Sequence, residues 1–237
     1  LDLGTTRTVA AAVDRGNYPI VTVEDSLGDT HDFIPSVVAL KADRIVAGWD
    51  TNEVGQDHPS FVRSFKRLLS EPNVTEATPV YLGDHVHPLG AVLEAFAENV
   101  VTALRAFQTQ LGDTSPIEVV IGVPANAHSA QRLLTMSAFS ATGITVVGLV
   151  NEPSAAAFEY THRHARTLNS KRQAIVVYDL GGGTFDSSLI RVDGTHHEVV
   201  SSIGISRLGG DDFDEILLQC ALKAAGRQHD AFGKRAK

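Results

Sequence analysis

With one cysteine in 237 residues, Cys220, the chain has no partner for an internal disulfide. That excludes a disulfide-stapled scaffold and fits a reducing, cytoplasmic compartment. Cys220 falls in an apolar helical pattern, where a buried thiol is expected. Basic residues are also scarce: 20 Lys and Arg stand against 28 Asp and Glu, a net charge of -8, and no basic run exceeds Lys234-Arg235. No phosphate-neutralising surface for nucleic acid is therefore expected. Long apolar runs are missing as well. Ala174 to Tyr178 is too short for a membrane, and Pro88 to Phe107 is broken by Glu94, Glu98 and Arg105. Neither a membrane span nor a signal peptide is expected. The ten histidines cluster only as His85/His87, His162/His164 and His196/His197, without cysteine or carboxylate at metal-ligand spacing. A Walker phosphate loop and a nucleophile elbow are both lacking. The chain opens without methionine, one residue before its first aspartate, and reads as a fragment with a shortened first strand.

What is present is a duplicated phrase. Hydrophobic residues make up 43% of the chain, enough for one large or two modest domains. LDLGTTRTVAAAVDRG, from Leu1 to Gly16, returns as YDLGGGTFDSSLIRVDG from Tyr178 to Gly194. Each copy runs apolar residue, Asp, Leu, Gly, then small or hydroxylated residues, then an alternating stretch closed by a Gly-containing turn. That pattern predicts a strand, a tight turn and a return strand. Two such hairpins, each with an aspartate ending its first strand, imply two related halves facing one another across one anion.

Between the copies, Ile20 to Glu24, Phe33 to Leu40 and Arg44 to Gly48 read as strands. Asp57 to Leu69 changes to helical spacing, with Lys66 and Arg67 off the apolar stripe. Val80 to Pro88 suits a hairpin. Gly90 to Leu111 is a strong amphipathic helix, and Ile117 to Val123 a strand covered on both faces. Ser129 to Thr142 reads as a helix, Ile144 to Val150 as another buried strand, and Pro153 to His164 as a helix with proline at its start. Thr167 to Gln173 looks like a link between halves. His197 to Ile203 is a strand and Asp212 to Ala225 a helix with acids in its first turn. The fold class is α/β, with mixed sheets and packed helices.

Glycine turns admit positive backbone dihedrals and let an anion approach the main chain. Consecutive amides of Gly4-Thr5-Thr6 and Gly181-Gly182-Gly183-Thr184 suit a phosphate nest. Asp2 and Asp179, at the strand ends, offer hard oxygens for magnesium through its retained waters. Phosphoryl transfer depends on positioning and charge neutralisation, so a lysine near the terminal phosphate is expected, and Lys66 is the candidate.

LDLGTT, SFKRLL (64–69), IGVPANAHSAQR (121–132), VNEPSAAAFEY (150–160), YDLGGGTFD (178–186) and LGGDDFD (208–214) resemble, in order, motifs of the ATPase domain of DnaK-type seventy-kilodalton heat-shock chaperones. The resemblance runs over nearly the whole chain. It implies an actin-like ATPase fold, two ribonuclease-H-like lobes around a nucleotide cleft. Lobe I would span 1–168, with core 1–35 and 112–168 and a peripheral subdomain 36–111; 174–237 would begin an incomplete lobe II. Gly4, Thr5, Thr6 and Arg7 match the first phosphate loop, and Gly182, Gly183 and Thr184 the second. Gly181 and the Gly209-Gly210 pair join the nucleotide-binding set. Lys66 matches the lysine that positions the attacking water, and Glu152 the glutamate that meets the water shell of magnesium beside Asp2 and Asp179. Pro124 and Arg132 match positions that pass nucleotide state to a peptide-binding domain.

The implied activity is magnesium-dependent ATP hydrolysis coupled to binding of unfolded peptides, with ATP and ADP as ligands and a nucleotide exchange factor as partner. The adenosine-binding half of the family domain is not in this sequence, so the fragment alone is expected to bind nucleotide weakly. Arg7 stands where the family has a small polar residue, and Asn126 where it has an aromatic. Val147 and Gly148 stand where it is commonly basic, which weakens the charge basis for docking a J-domain cochaperone. An actin-like filament protein shares the architecture but is not expected to carry the Asn151-Glu152-Pro153 and Leu208-Gly209-Gly210-Asp211 motifs; sugar kinases share it too, but no acceptor-binding base is identifiable, and Arg7, Asn126 and Gly148 keep a nucleotide-sensing scaffold without hydrolysis as the alternative.

Overall fold

The computed structural model describes residues 1–164, 173–205 and 207–227. Of the expected link at 167–173, only Gln173 lies within them. The strands and helices run in the order β1 (Asp2–Leu3), β2 (Arg7–Val9), β3 (Val23–Glu24), β4 (Thr30–His31), β5 (Ile34–Pro35), β6 (Val37–Lys41), β7 (Arg44–Ala47), β8 (Val62–Arg63), β9 (Pro79–Leu82), β10 (His85–Pro88), α1 (Leu89–Gln110), β11 (Glu118–Val123), α2 (Ser129–Ala141), β12 (Thr145–Asn151), α3 (Glu152–Arg163), β13 (Ala174–Leu180), β14 (Phe185–Asp193), β15 (His196–Ile205) and α4 (Gly210–Ala224). The α/β class with mixed sheets agrees with the sequence.

Five strands form the first sheet in the order β12-β11-β1-β2-β5. Within it β1 runs parallel to β11 and antiparallel to β2, so the first hairpin sits at the sheet centre. Its inward residues, Leu3, Ile34 and Ile121, join Val92, Phe96 and Val100 of α1 and Phe139 of α2 in one large core. Helix α1 buries one stripe, as its sequence period requires. The second sheet, β13-β14-β15, has its own small cluster of Ile190, Val192 and Ala157, the last from α3. Val176, Tyr178 and Leu180 of β13 stay exposed.

Three expectations are corrected. Residues 57–69 do not form a helix. Val62–Arg63 pairs with Val37–Val38 as strand β8, Ser64 takes a left-handed conformation (φ 55°), and Phe65–Ser70 is a 3-10 turn. Pairing with β6 overrides helical spacing, and the turn carries Lys66 inward among Phe65 and Leu69. Strand β12 is not buried on both faces: none of its residues is fully covered, and it is the edge strand of the sheet. A register shift opposite Val119/Val120 leaves Val147 exposed. Cys220 is exposed, since the only buried residue of α4 is Leu222.

The core anchors the site through neighbours in sequence: Phe65, next to Lys66, packs edge-on to Phe96 with ring centroids 5.2 Å apart. Phe96 is fully buried. Phe96→Ala is expected to cost about 3–5 kcal/mol of stability in urea denaturation, as large aromatic deletions do.

Candidate phosphate-binding site

The site is two tight glycine turns held against each other. The first, between β1 and β2, turns so closely that a Cβ on Gly4 would lie 2.2 Å from the Arg7 carbonyl oxygen. Its carbonyls face the protein: the Ser36 hydroxyl donates to Gly4 O (2.8 Å), and Ser36 N to Thr6 O (2.9 Å). Ser36 is fully buried beside Thr8, 3.0 Å between their hydroxyl oxygens. The second turn, between β13 and β14, closes by Gly181 N donating to Thr184 O (2.9 Å). The first amides of α4 hold it from behind, Gly210 N on Gly181 O (3.0 Å) and Asp211 N on Gly182 O (2.8 Å). The carbonyls of Gly4, Thr6, Gly181, Gly182 and Thr184 are bonded within the protein, while the amides of Thr5, Thr6, Gly182 and Gly183 donate to no acceptor among the described residues. Free amides of consecutive turn residues are the donors that an anion nest uses.

Contact between the turns is at backbone distance. A Cβ on Gly182 would come within 2.1 Å of the Thr6 methyl, and one on Gly183 within 2.6 Å of the Thr5 methyl and of Arg67 Nε. A Cβ on Gly209 would strike the Gly182 carbonyl at 2.5 Å. The Gly210 amide serves the second turn, so Gly209 and Gly210 brace that turn.

Beneath the turns lies a buried ion pair, Lys66 Nζ to Glu152 Oε1 at 3.3 Å. Glu152 opens α3 directly after β12, and its side chain lies over Gly122 of β11, where a Cβ would meet Glu152 Cγ at 3.3 Å. Asp2 pairs with this same Gly122 across the sheet, which sets Glu152 beside Asp2. Burial raises the Glu152 pKa, Lys66 opposes the shift, and Asp2 and then Asp179 push it up again. Asp179 is raised by burial and by Asp2, with Lys66 opposing. Asp186, opposite Asp179 in the β13–β14 register, is raised by burial and by Asp179. Three carboxyl groups thus hold their protons more tightly than usual, with Lys66 the cation acting on each.

Arg67, Asp211 and Asp212 were not singled out as site residues. The Arg67 guanidinium reaches from the 3-10 turn to α4 and donates to Asp212 (2.8 and 3.3 Å) and to Gly182 O (3.4 Å). The Ser64 hydroxyl donates to Asp211. The acidic first turn of α4, read as complementing the helix dipole, therefore also bonds the other half; the adjacency of Arg67 to Lys66 was the available signal. Arg132 donates to Asn151 Oδ1 (3.0 Å) and to Pro124 O (3.4 Å), tying the Pro124 segment to the residue before Glu152. Thr184, Asp186, Asn126, His128 and Ser70 line a polar cavity of about 230 Å³.

Asp179→Asn removes one carboxylate that the fold penalises when ionised. Because the folded pKa is raised, the native state favours the protonated acid, and that favour is lost as pH rises through the folded pKa. The variant is expected to melt above wild type at neutral pH without added divalent cation. The gain should vanish below the ordinary carboxylate range, as read by thermal denaturation at the two pH values.

The sequence profile of the Hsp70 protein family matches residues 92–234, more than half of the chain. Chaperone protein HscA of Serratia proteamaculans is 37% identical over 95% of this chain, and an HscA homolog of Colwellia psychrerythraea 36% identical over 95%. Chaperone protein DnaK of Ureaplasma urealyticum is 33% identical over 94%. The chain spans only 38%, 37% and 34% of these three proteins, respectively. A profile match over more than half of the chain, joined by relatives 33–37% identical over 94–95% of it, is decisive: the chain belongs to the Hsp70 family.

Proposed function

We propose that this chain is the phosphate-gripping part of an ATP-hydrolysing chaperone domain, lobe I at 1–168 and the opening of lobe II at 174–237. The observation that carries the reading is the meeting of two amide-presenting glycine turns above the Lys66–Glu152 pair. Polyphosphate of ATP or ADP would take the free amides of Thr5, Thr6, Gly182 and Gly183. Gly4 and Gly181 form the corners of the turns. Lys66, fixed by Glu152, would hold the attacking water and donate to the terminal phosphate, with Thr184 beside the same turn. Placing a preorganised cation where charge develops is the larger part of such catalysis.

Magnesium fits the donor set only as a hydrated ion. Asp2, Asp179 and Glu152 carry hard oxygens; the charge of Asp2 raises the pKa of Glu152 and of Asp179, and Asp179 that of Glu152, a field that a cation relieves. Among the described residues, no three His, Cys, Asp or Glu come together as a direct metal site. Bound through its waters, the ion would neutralise phosphate charge.

The coupling we propose runs from Glu152 through Asn151 and Arg132 to Pro124, because Arg132 joins the last two by hydrogen bonds. Through it nucleotide state would alter affinity for unfolded peptides in the whole protein, with a nucleotide exchange factor resetting the cycle. Exposed Val147 and adjacent Gly148 offer no charge to a J-domain cochaperone. No helix among the described residues is long and apolar enough to cross a membrane, and a cytoplasmic setting suits the reading.

Lys66→Ala in the full-length protein tests it. Single-turnover ATP hydrolysis is expected to fall about a hundredfold or more, the scale of losing one preorganised electrostatic group. ATP affinity by isothermal titration is expected to stay within a few-fold of wild type. Normal turnover would reject the assignment.

A further inference from the structure

Arg7 is the residue of the first turn that the family pattern does not account for, and its surroundings are built around it. It pairs with Pro35 across β2–β5 and alternates with buried Thr8, so it shares a sheet face with Val9 and with the partner of Val9, Asp2. That face is the one on which the carboxylates gather. Among the described residues the Arg7 side chain makes no ion pair and no hydrogen bond; its guanidinium carbon lies over the Phe33 ring, 4.6 Å from the centroid. A guanidinium held by a ring leaves its N–H donors unpaired.

Phe33 is itself held. Its ring packs against Trp49 at 5.3 Å, and the Trp49 indole N–H donates to the Phe33 carbonyl at 2.9 Å. Trp49 also stacks on His31, centroids 3.8 Å apart and planes within 21°, and His31 meets Phe33 directly, edge-on with centroids 6.1 Å apart. His31 Nε2 lies 3.0 Å from Asp25 Oδ2, and the Asp25 carboxylate, almost fully covered, also accepts from the amides of Leu27 and Asp29. A continuous series of contacts thus runs from a locked loop carboxylate through three rings to one exposed guanidinium. Rings alone would make a surface cluster. This one ends on a cation with unused donors, next to a turn whose amides are also unused.

We infer that Arg7 is a phosphate clamp of this chain, and that Phe33, Trp49 and His31 are positioning residues that aim it. The inference rests on the nucleotide reading and adds to it a specificity for the phosphate tail that the glycine turns alone would not supply. Planar guanidinium suits two phosphate oxygens at once, and a fixed ring removes the entropy that a free arginine would lose on binding.

The test compares Mg-ATP with adenosine, which lacks phosphate, by isothermal titration of the full-length protein. Arg7→Ala is expected to weaken ATP about tenfold or more and leave adenosine unchanged. Phe33→Leu should weaken ATP about threefold to tenfold, the worth of a cation–ring contact, again sparing adenosine. Arg7→Ala/Phe33→Leu should be no weaker for ATP than Arg7→Ala alone. Arg7→Lys, at an exposed position where folding is not at stake, keeps the charge but loses the flat face, and should lose about threefold. Equal losses for ATP and adenosine in Phe33→Leu, additive losses in the double variant, or wild-type ATP affinity in both Arg7 variants would overturn the clamp. If wild type binds adenosine and ATP alike, or neither, the nucleotide reading itself fails.

Discussion

The site depends on a steric constraint: at two places the two halves meet where no side chain fits, and at a third the start of α4 meets the second turn in the same way. Gly182 rests on the Thr6 methyl, Gly183 on Thr5 and Arg67, and Gly209 on the backbone of the second turn. None of the three takes a positive φ. Their requirement is therefore proximity, not backbone freedom. A methyl at Gly209 would meet main chain, which cannot swing aside. Close approach sets the unpaired amides of the two turns beside one another, with the carbonyls of Gly4, Thr6, Gly181, Gly182 and Thr184 bonded within the protein.

The charge arrangement follows from the same geometry. Packing two turns and a helix start together takes Glu152 and, less completely, Asp179 and Asp186 out of water, with Lys66 as the counter-charge acting on them. Desolvation and mutual repulsion act in one direction on all three acids. A fold whose only task was stability would neutralise such a cluster or replace it with apolar groups. Retaining it makes sense where a cation and a polyphosphate arrive together, each relieving the repulsion that the other would meet.

Both hairpins were legible from composition and alternation alone, because strand, tight turn and return strand are local patterns. So were α1 and α2, whose apolar stripes repeat at helical spacing. The segment around Lys66 was not, because its helical spacing is real but loses to pairing of Val62–Arg63 with β6, a long-range contact that no local pattern carries. Ser36 and Gly122 were missed for a related reason. Ser36 looks like any loop serine until it is seen binding the carbonyls of the first turn, and Gly122 like any strand residue until Glu152 is seen lying over it. Cys220 shows the opposite error: a periodic apolar pattern promised burial, yet Ile216, Leu217 and Cys220 of α4 are all exposed.

The two apolar clusters share no residue, yet they do not divide at the link, because Ala157 of α3 packs with Ile190 and Val192 of β14. The larger core holds Leu3 through Ile144. Between the halves therefore run this apolar contact, the glycine contacts and a polar set: Arg67 to Asp212, Ser64 to Asp211, and the distant Arg207–Glu71 pair at 3.9 Å. Polar, partly exposed contacts of this kind are individually weak and exchange readily with water. The restraint on the two turns is shared unequally across this boundary. The first turn is held wholly from its own half, through Ser36, whereas the second is held both by α4 and by Arg67 from the other half. The second turn is therefore the one whose support depends on contact between the halves.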